Sequence, residues 1–175
     1  TLNATRRQRQ MCIRDRVKEG YADPQRIAIW GWSYGAYQTI FNLTHSDKWK
    51  VGMAVNPVTD MRLYDTIYTE RYMGLPDEAA EDYEAGAPIT HAKNLEGNLL
   101  LVHGTADDNV HYQNFEALVN ELVAHNKHFT MLAYPNRSHG IFEGQGTRRH
   151  LYTEMTRYLN EHMAPGGIPL EPTSD

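Results

Sequence analysis

The chain has 175 residues, 41% of them hydrophobic, which suits one domain with a buried core. A formal net charge of -5 argues against a general nucleic-acid binder, and a single cysteine, Cys12, rules out an internal disulfide and a cysteine-rich metal site. No run of about eighteen apolar residues predicts a membrane span, and no H-E-x-x-H or comparable spacing predicts a metal or a cofactor.

Residues 1–16 are polar and basic, with Thr5-Arg6-Arg7-Gln8-Arg9-Gln10 and Arg14-Asp15-Arg16, and lack the apolar centre of a signal peptide. They read as a disordered or foreign N-terminal stretch. From Val17 to Ala164 apolar strands alternate with amphipathic helices, the pattern of an α/β fold with a mostly parallel sheet flanked by helices. Strands are predicted at Ile27 to Trp30, Val51 to Val55, Leu99 to Val102 and Phe129 to Tyr134. Their near-absence of polar alternation implies burial on both faces. Helices are predicted at Tyr34 to Thr44, Tyr112 to Ala124 and Thr147 to His162. In the second, Phe115, Leu118, Val119 and Leu122 make one apolar face. Asp60 to Thr90 is more polar and predicts short helices and loops over the sheet. The tail, residues 165–175, is rich in proline and glycine and is expected to be flexible.

The first predicted strand runs straight into Gly31-Trp32-Ser33-Tyr34-Gly35, a G-x-S-x-G pattern between a strand and a helix. That is a nucleophile elbow, in which a tight turn lifts one hydroxyl above the sheet. Two more segments follow predicted strands: His103 to Val110, with Asp107 and Asp108, and Asn136 to Gly140, with His139. Ligands bind at this edge of open α/β sheets. The order serine, acid, histidine is that of α/β-hydrolases. A serine hydroxyl needs an imidazole to accept its proton, and the imidazole needs a carboxylate to fix its tautomer. Either aspartate could serve as that carboxylate. The backbone N–H of Tyr34 is placed to donate to an oxyanion. His103 and His111, beside the acid, read as structural hydrogen-bonders.

These residues resemble the catalytic domain of the prolyl oligopeptidase family, in its dipeptidyl peptidase IV branch. The resemblance rests on Gly31 to Gly35, on Thr69-Glu70-Arg71-Tyr72-Met73-Gly74-Leu75-Pro76 and on His103 to His111, and it covers Val17 to Ala164. It implies Ser33 as nucleophile, Asp107 as triad acid and His139 as base. It also implies a proline pocket of Tyr34, Val58, Tyr64, Tyr68 and Val110, with Asn109 holding the carbonyl of the substrate residue before proline. The implied activity is release of N-terminal dipeptides after proline or alanine. Met61 stands where that branch usually has tryptophan, which softens the pocket. Ala36 and Ser138 also depart from the usual pattern.

The resemblance further implies parts that residues 1–16 cannot supply: a β-propeller, its paired glutamates that grip the substrate N-terminus, and a tyrosine hydroxyl as second oxyanion donor. The chain is therefore expected to be the C-terminal part of a longer peptidase, with Ile27 to Trp30 as an apolar edge strand. Its implied partners are a peptide substrate and a second copy, through Phe129 to Tyr134 and Thr147 to His162. A periplasmic or extracellular setting suits the full-length parent. Two other readings compete: an esterase with the same elbow, and an inactive dimerisation or interaction module.

Overall fold

The computed structural model describes residues 11–163. Residues 1–10 and the predicted flexible tail, 165–175, lie outside the described residues. The described part of the basic stretch is ordered as helix: α1 covers 11–18, and Ile13 packs on the first core cluster.

Four strands form one sheet in the order β1 (Ala28–Trp32), β2 (Val51–Val55), β3 (Asn98–Gly104) and β4 (Thr130–Tyr134). All three pairings are parallel, as the sequence predicts. Helices α2 (Tyr34–Leu43), α5 (Gln113–Ala124) and α6 (Thr147–His162) fall within a residue of their predicted limits. The first strand reaches further than predicted, because Gly31 and Trp32 keep the ladder going against Ala54 and Val55. Ser33 is thus the first residue beyond the strand. Between β2 and β3 the chain makes the expected short elements: a 3-10 turn at Met61–Leu63, α3 (Thr66–Met73), α4 (Ala80–Gly86) and a second 3-10 stretch at Pro88–Asn94.

The strand alternation sorts side chains to two faces. On one, Ile29, Ala54, Leu99 and Leu101 pack against Ile40 and Leu43 of α2, against Ala92 and Leu95, and against Phe115, Leu118 and Leu122 of α5. Strictly consecutive parallel strands with right-handed crossovers put every connection on one side, which is why three segments share this face. The other face is made by Val51, Met53, Val55, Leu100 and Val102. Its cover is α6 through Leu151, Met155 and Tyr158, with Ile141 of the preceding loop. Each fully buried leucine here is worth about 2–3 kcal/mol of transfer free energy.

The central strands are covered on both faces, as their apolar runs imply. The outer two are not. β1 is the expected apolar edge, with Trp30 54% exposed. In β4, Thr130, Met131 and Ala133 are exposed, which corrects the reading of that run as buried on both sides. An apolar run marks strand propensity, whereas burial depends on whether a neighbour lies alongside.

Candidate active site

The site lies at the C-terminal ends of the four strands. Ser33 follows β1 at φ 57 and ψ -121, and its N–H donates to Val55 O at 2.8 Å. A non-glycine residue held there costs on the order of 1–3 kcal/mol and persists only where its surroundings enforce it. Here they do. Its own carbonyl accepts the N–H groups of Ala36 and Tyr37, at 2.9 and 3.0 Å, and so opens α2. The Tyr34 N–H belongs to the first turn of that helix, where no intrahelical acceptor exists.

The loop after β3 carries Asp107 inward and Asp108 outward. His139 Nδ1–H donates to Asp107 Oδ2 at 2.7 Å. The carboxylate side chain is 0% exposed and the imidazole 23%. Asp107 Oδ1 takes the backbone N–H groups of Asn109 (3.0 Å) and Val110 (2.9 Å). Burial by itself would raise this carboxyl. Hydrogen bonds from His103, His139, Val110 and Asn109 outweigh it and hold Asp107 well below the usual carboxylate range. Among the described residues, His139 Nε2 has no hydrogen bond to Ser33 Oγ or to any other group. Such bonds are often long before substrate binds.

Three side chains that the sequence reading did not assign to the site hold this arrangement. His103 is fully buried. Its Nε2 is 2.8 Å from Val110 O and 3.4 Å from Asp107 Oδ2. Both neighbours are acceptors, so Nε2 carries the proton, and Nδ1 is a buried acceptor with no partner among the described residues. The predicted hydrogen-bonding role is therefore one that reaches the acid itself. His111 is exposed and contributes its backbone carbonyl, which accepts Asn114 N–H at 2.9 Å.

The second is Asn56, buried at the end of β2 with φ 48. Its Nδ2 donates to His139 O at 2.7 Å, and its Oδ1 accepts Gly104 N–H at 3.0 Å. The third, Trp32, donates its indole N–H to the same His139 carbonyl at 2.9 Å. The histidine backbone is thus tied to the residue before Ser33 and to two strand ends. Gly104 makes this approach possible, since a Cβ there would meet the Arg137 and Ser138 carbonyls. Glu143 closes the loop by accepting from Ser138 Oγ and from the N–H groups of Ser138 and Phe142.

Asn56→Ala should cost about 2–3 kcal/mol, by stranding the Gly104 N–H and by removing the polar side chain that lets asparagine tolerate positive φ. Asn56→Gly tolerates that φ and should lose less stability, yet both variants should slow any reaction that needs His139. Chemical denaturation run beside Ser33 labelling rates separates the two effects. Equal rates for wild type and Asn56→Gly would show that the side chain positions nothing.

Beside Ser33 lies a cavity of about 210 Å³ lined by Ser33, Tyr34, Val58, Met61, Tyr64 and Tyr68. Four of the five residues predicted to form a proline pocket are in its wall. The fifth, Val110, is fully buried and packs in one cluster with Val58 and Met61. Asn109 is exposed at the rim, where its Oδ1 accepts the Tyr64 hydroxyl at 2.8 Å. That bond leaves the amide N–H₂ turned to donate. No group of three or more metal-ligating side chains occurs among the described residues. No helix among them is long and apolar enough to cross a membrane.

The sequence profile described as the prolyl oligopeptidase family matches residues 4–166, a span that begins inside the basic N-terminal stretch. The chain is similar to prolyl endopeptidase FAP of Mus musculus, at 40% identity over 153 residues, covering 85% of this chain and 20% of that protein. It is similar to dipeptidyl peptidase 4 of Bos taurus, at 41% identity over 148 residues, covering 82% and 19%. The crystal structure of Porphyromonas gingivalis dipeptidyl peptidase 4 superposes with a TM-score of 0.79 at 45% identity, covering 81% of this chain and 20% of that one. The chain therefore spans about a fifth of the length of the relatives it matches. A profile match over nearly its whole length places this chain in the prolyl oligopeptidase family.

Proposed function

We propose that this chain carries the acyl-transfer centre of a serine peptidase that releases N-terminal dipeptides after proline or alanine. The observation that carries the reading is the 2.7 Å bond from His139 to a buried, charge-stabilised Asp107, with Ser33 held on a strained turn at the end of β1 on the same edge of the sheet. In the proposed reaction Ser33 Oγ attacks the scissile carbonyl carbon and His139 Nε2 takes the hydroxyl proton. Asp107 keeps Nδ1 protonated and stabilises the imidazolium. The oxyanion accepts the Tyr34 N–H. Collapse breaks the C–N bond, and His139 returns its proton to the leaving amine. Water then attacks the acyl-enzyme by the same route.

The 210 Å³ aromatic and aliphatic cavity suits a flat pyrrolidine ring, which buries apolar area and asks nothing of a side-chain donor. Asn109 would donate to the carbonyl of the residue before it. A fluorophosphonate probe applied to the whole chain should label Ser33, with Ser33→Ala left unlabelled. Gly-Pro and short acyl ester substrates assayed side by side then separate peptidase from esterase. Ester turnover with no Gly-Pro cleavage would overturn the peptide assignment. Absence of labelling in a monodisperse, folded sample would overturn the reaction itself.

A further inference from the structure

The cavity beside Ser33 has a neighbour. A second cavity, of about 300 Å³, is lined by Tyr34, Tyr37, Met61, Tyr68, Thr69, Tyr72 and Met73. Three residues, Tyr34, Met61 and Tyr68, belong to both walls. Tyr34 is anchored by stacking on Tyr37 at 5.3 Å and by accepting Gln38 Nε2–H at 3.1 Å. Tyr68 packs edge-on against both Tyr64 and Tyr72. Met61 differs from both, because its side chain has three rotatable bonds and a polarisable sulfur that adapts to what it meets.

The backbone under Met61 is fixed. Asp60 caps the turn by accepting Arg62 N–H at 2.8 Å, and the Arg62 guanidinium is pinned to Asp60 (2.6 Å) and Glu84 (2.9 Å). Of the three side chains shared by the two walls, Met61 is thus the flexible one, set on a rigid turn. Both spaces are walled by tyrosine rings and thioethers, with no charged side chain among their lining residues.

We infer that the pocket next to Ser33 continues past Met61 into the second cavity. The site then accepts an elongated apolar side chain, of the methionine, norleucine or phenylalanine class, at the residue whose carbonyl is attacked. This inference rests on the reading of Ser33 as the nucleophile. A pyrrolidine ring fills the first cavity and leaves the second unused. A longer chain displaces the Met61 thioether and buries further methylenes, each worth about fourfold in reaction rate at 0.8 kcal/mol per CH₂.

The test uses three covalent probes on the whole chain, with Ser33 labelling followed by mass spectrometry. One is an alkyl fluorophosphonate; the others are diphenyl phosphonates bearing the proline or the norleucine side chain. Wild type should react with the norleucine probe at least as fast as with the proline probe. Met61→Trp, which sets a large rigid ring at the shared wall, should slow the norleucine probe by about tenfold or more. Because Met61 also walls the first cavity, the readout is the norleucine-to-proline rate ratio, which should fall by about fivefold or more. Met61→Phe is a milder block and should fall between. An unchanged norleucine rate in both variants, or an equal fall for both phosphonates, would overturn the inference while fluorophosphonate labelling persists. Loss of labelling by all three probes in the wild type would instead overturn the nucleophile assignment.

Discussion

Asp107→Asn should lower the rate of Ser33 acylation by about 10⁴, the order seen when a triad carboxylate becomes an amide. The amide presents a donor or an acceptor to His139 depending on its rotation, and in neither case a negative charge. The amide oxygen is also a poorer match for four converging donors. Two of those, the Asn109 and Val110 N–H groups, are fixed by the loop, and the other two are His139 and the buried His103. The neutral side chain no longer stabilises the imidazolium. Asp108→Asn is the control. Asp108 is exposed, so its removal should leave acylation within about twofold, in keeping with the small effects of surface substitutions. Equal losses in the two variants would overturn Asp107 as the acid.

The same carboxylate gives a stability signature. Its folded-state pKa is depressed, so its contribution is fully present above the unfolded value of about 3.9 and is lost as pH falls from there towards the folded value. Wild type should lose stability across that acid window more steeply than Asp107→Asn. Chemical denaturation at several pH values below about 5 checks the sign.

Gly31→Ala is expected to be the most damaging single methyl group in the elbow. A Cβ at Gly31 would lie 2.2 Å from the carbonyl carbon and oxygen of Gly35 and 2.8 Å from the Ala36 nitrogen. Those atoms are the first turn of α2 and cannot swing aside as a side chain would. The strand must therefore part from the helix, at a cost of at least about 3 kcal/mol, or a Tm lower by roughly 6–12 °C for a chain of this size. Gly35, four residues on in the same motif, is the opposite case. An added Cβ there meets nothing within 4 Å, and the residue lies inside a helix. Gly35→Ala should gain about 0.5–1 kcal/mol. Matching Tm changes in the two variants would contradict the packing described around the elbow.

The strands, the three long helices and the order of the site loops were legible in the sequence because each depends on local pattern. Apolar runs of strand length and a 3.6-residue stripe need no partner to be seen. Which aspartate turns inward was not legible in the local pattern, and only the family resemblance pointed to Asp107. It follows from the loop backbone folding its own Asn109 and Val110 N–H groups onto Asp107. Nor could Asn56 be assigned a role. Its two side-chain bonds reach Gly104 and His139, the latter 83 residues away, and exist only once three strand ends are side by side. The local clue was an asparagine directly after a strand, a residue that tolerates positive φ. The exposure of β4 was hidden for the same reason, since sheet order is tertiary information. Family membership, by contrast, was carried by contiguous motifs and is borne out.

The uneven cover of the sheet has a consequence for synthesis. One face is sheltered by segments that each arrive between strands, so it closes as the chain emerges. The other depends on α6, whose last turn is His162. A chain halted after β4 would have all four strands available and a bare strip of Val51, Met53, Val55, Leu100 and Val102 exposed to other nascent chains. For this protein the hazardous interval for aggregation opens when β3 leaves the ribosome and closes only when α6 follows it out.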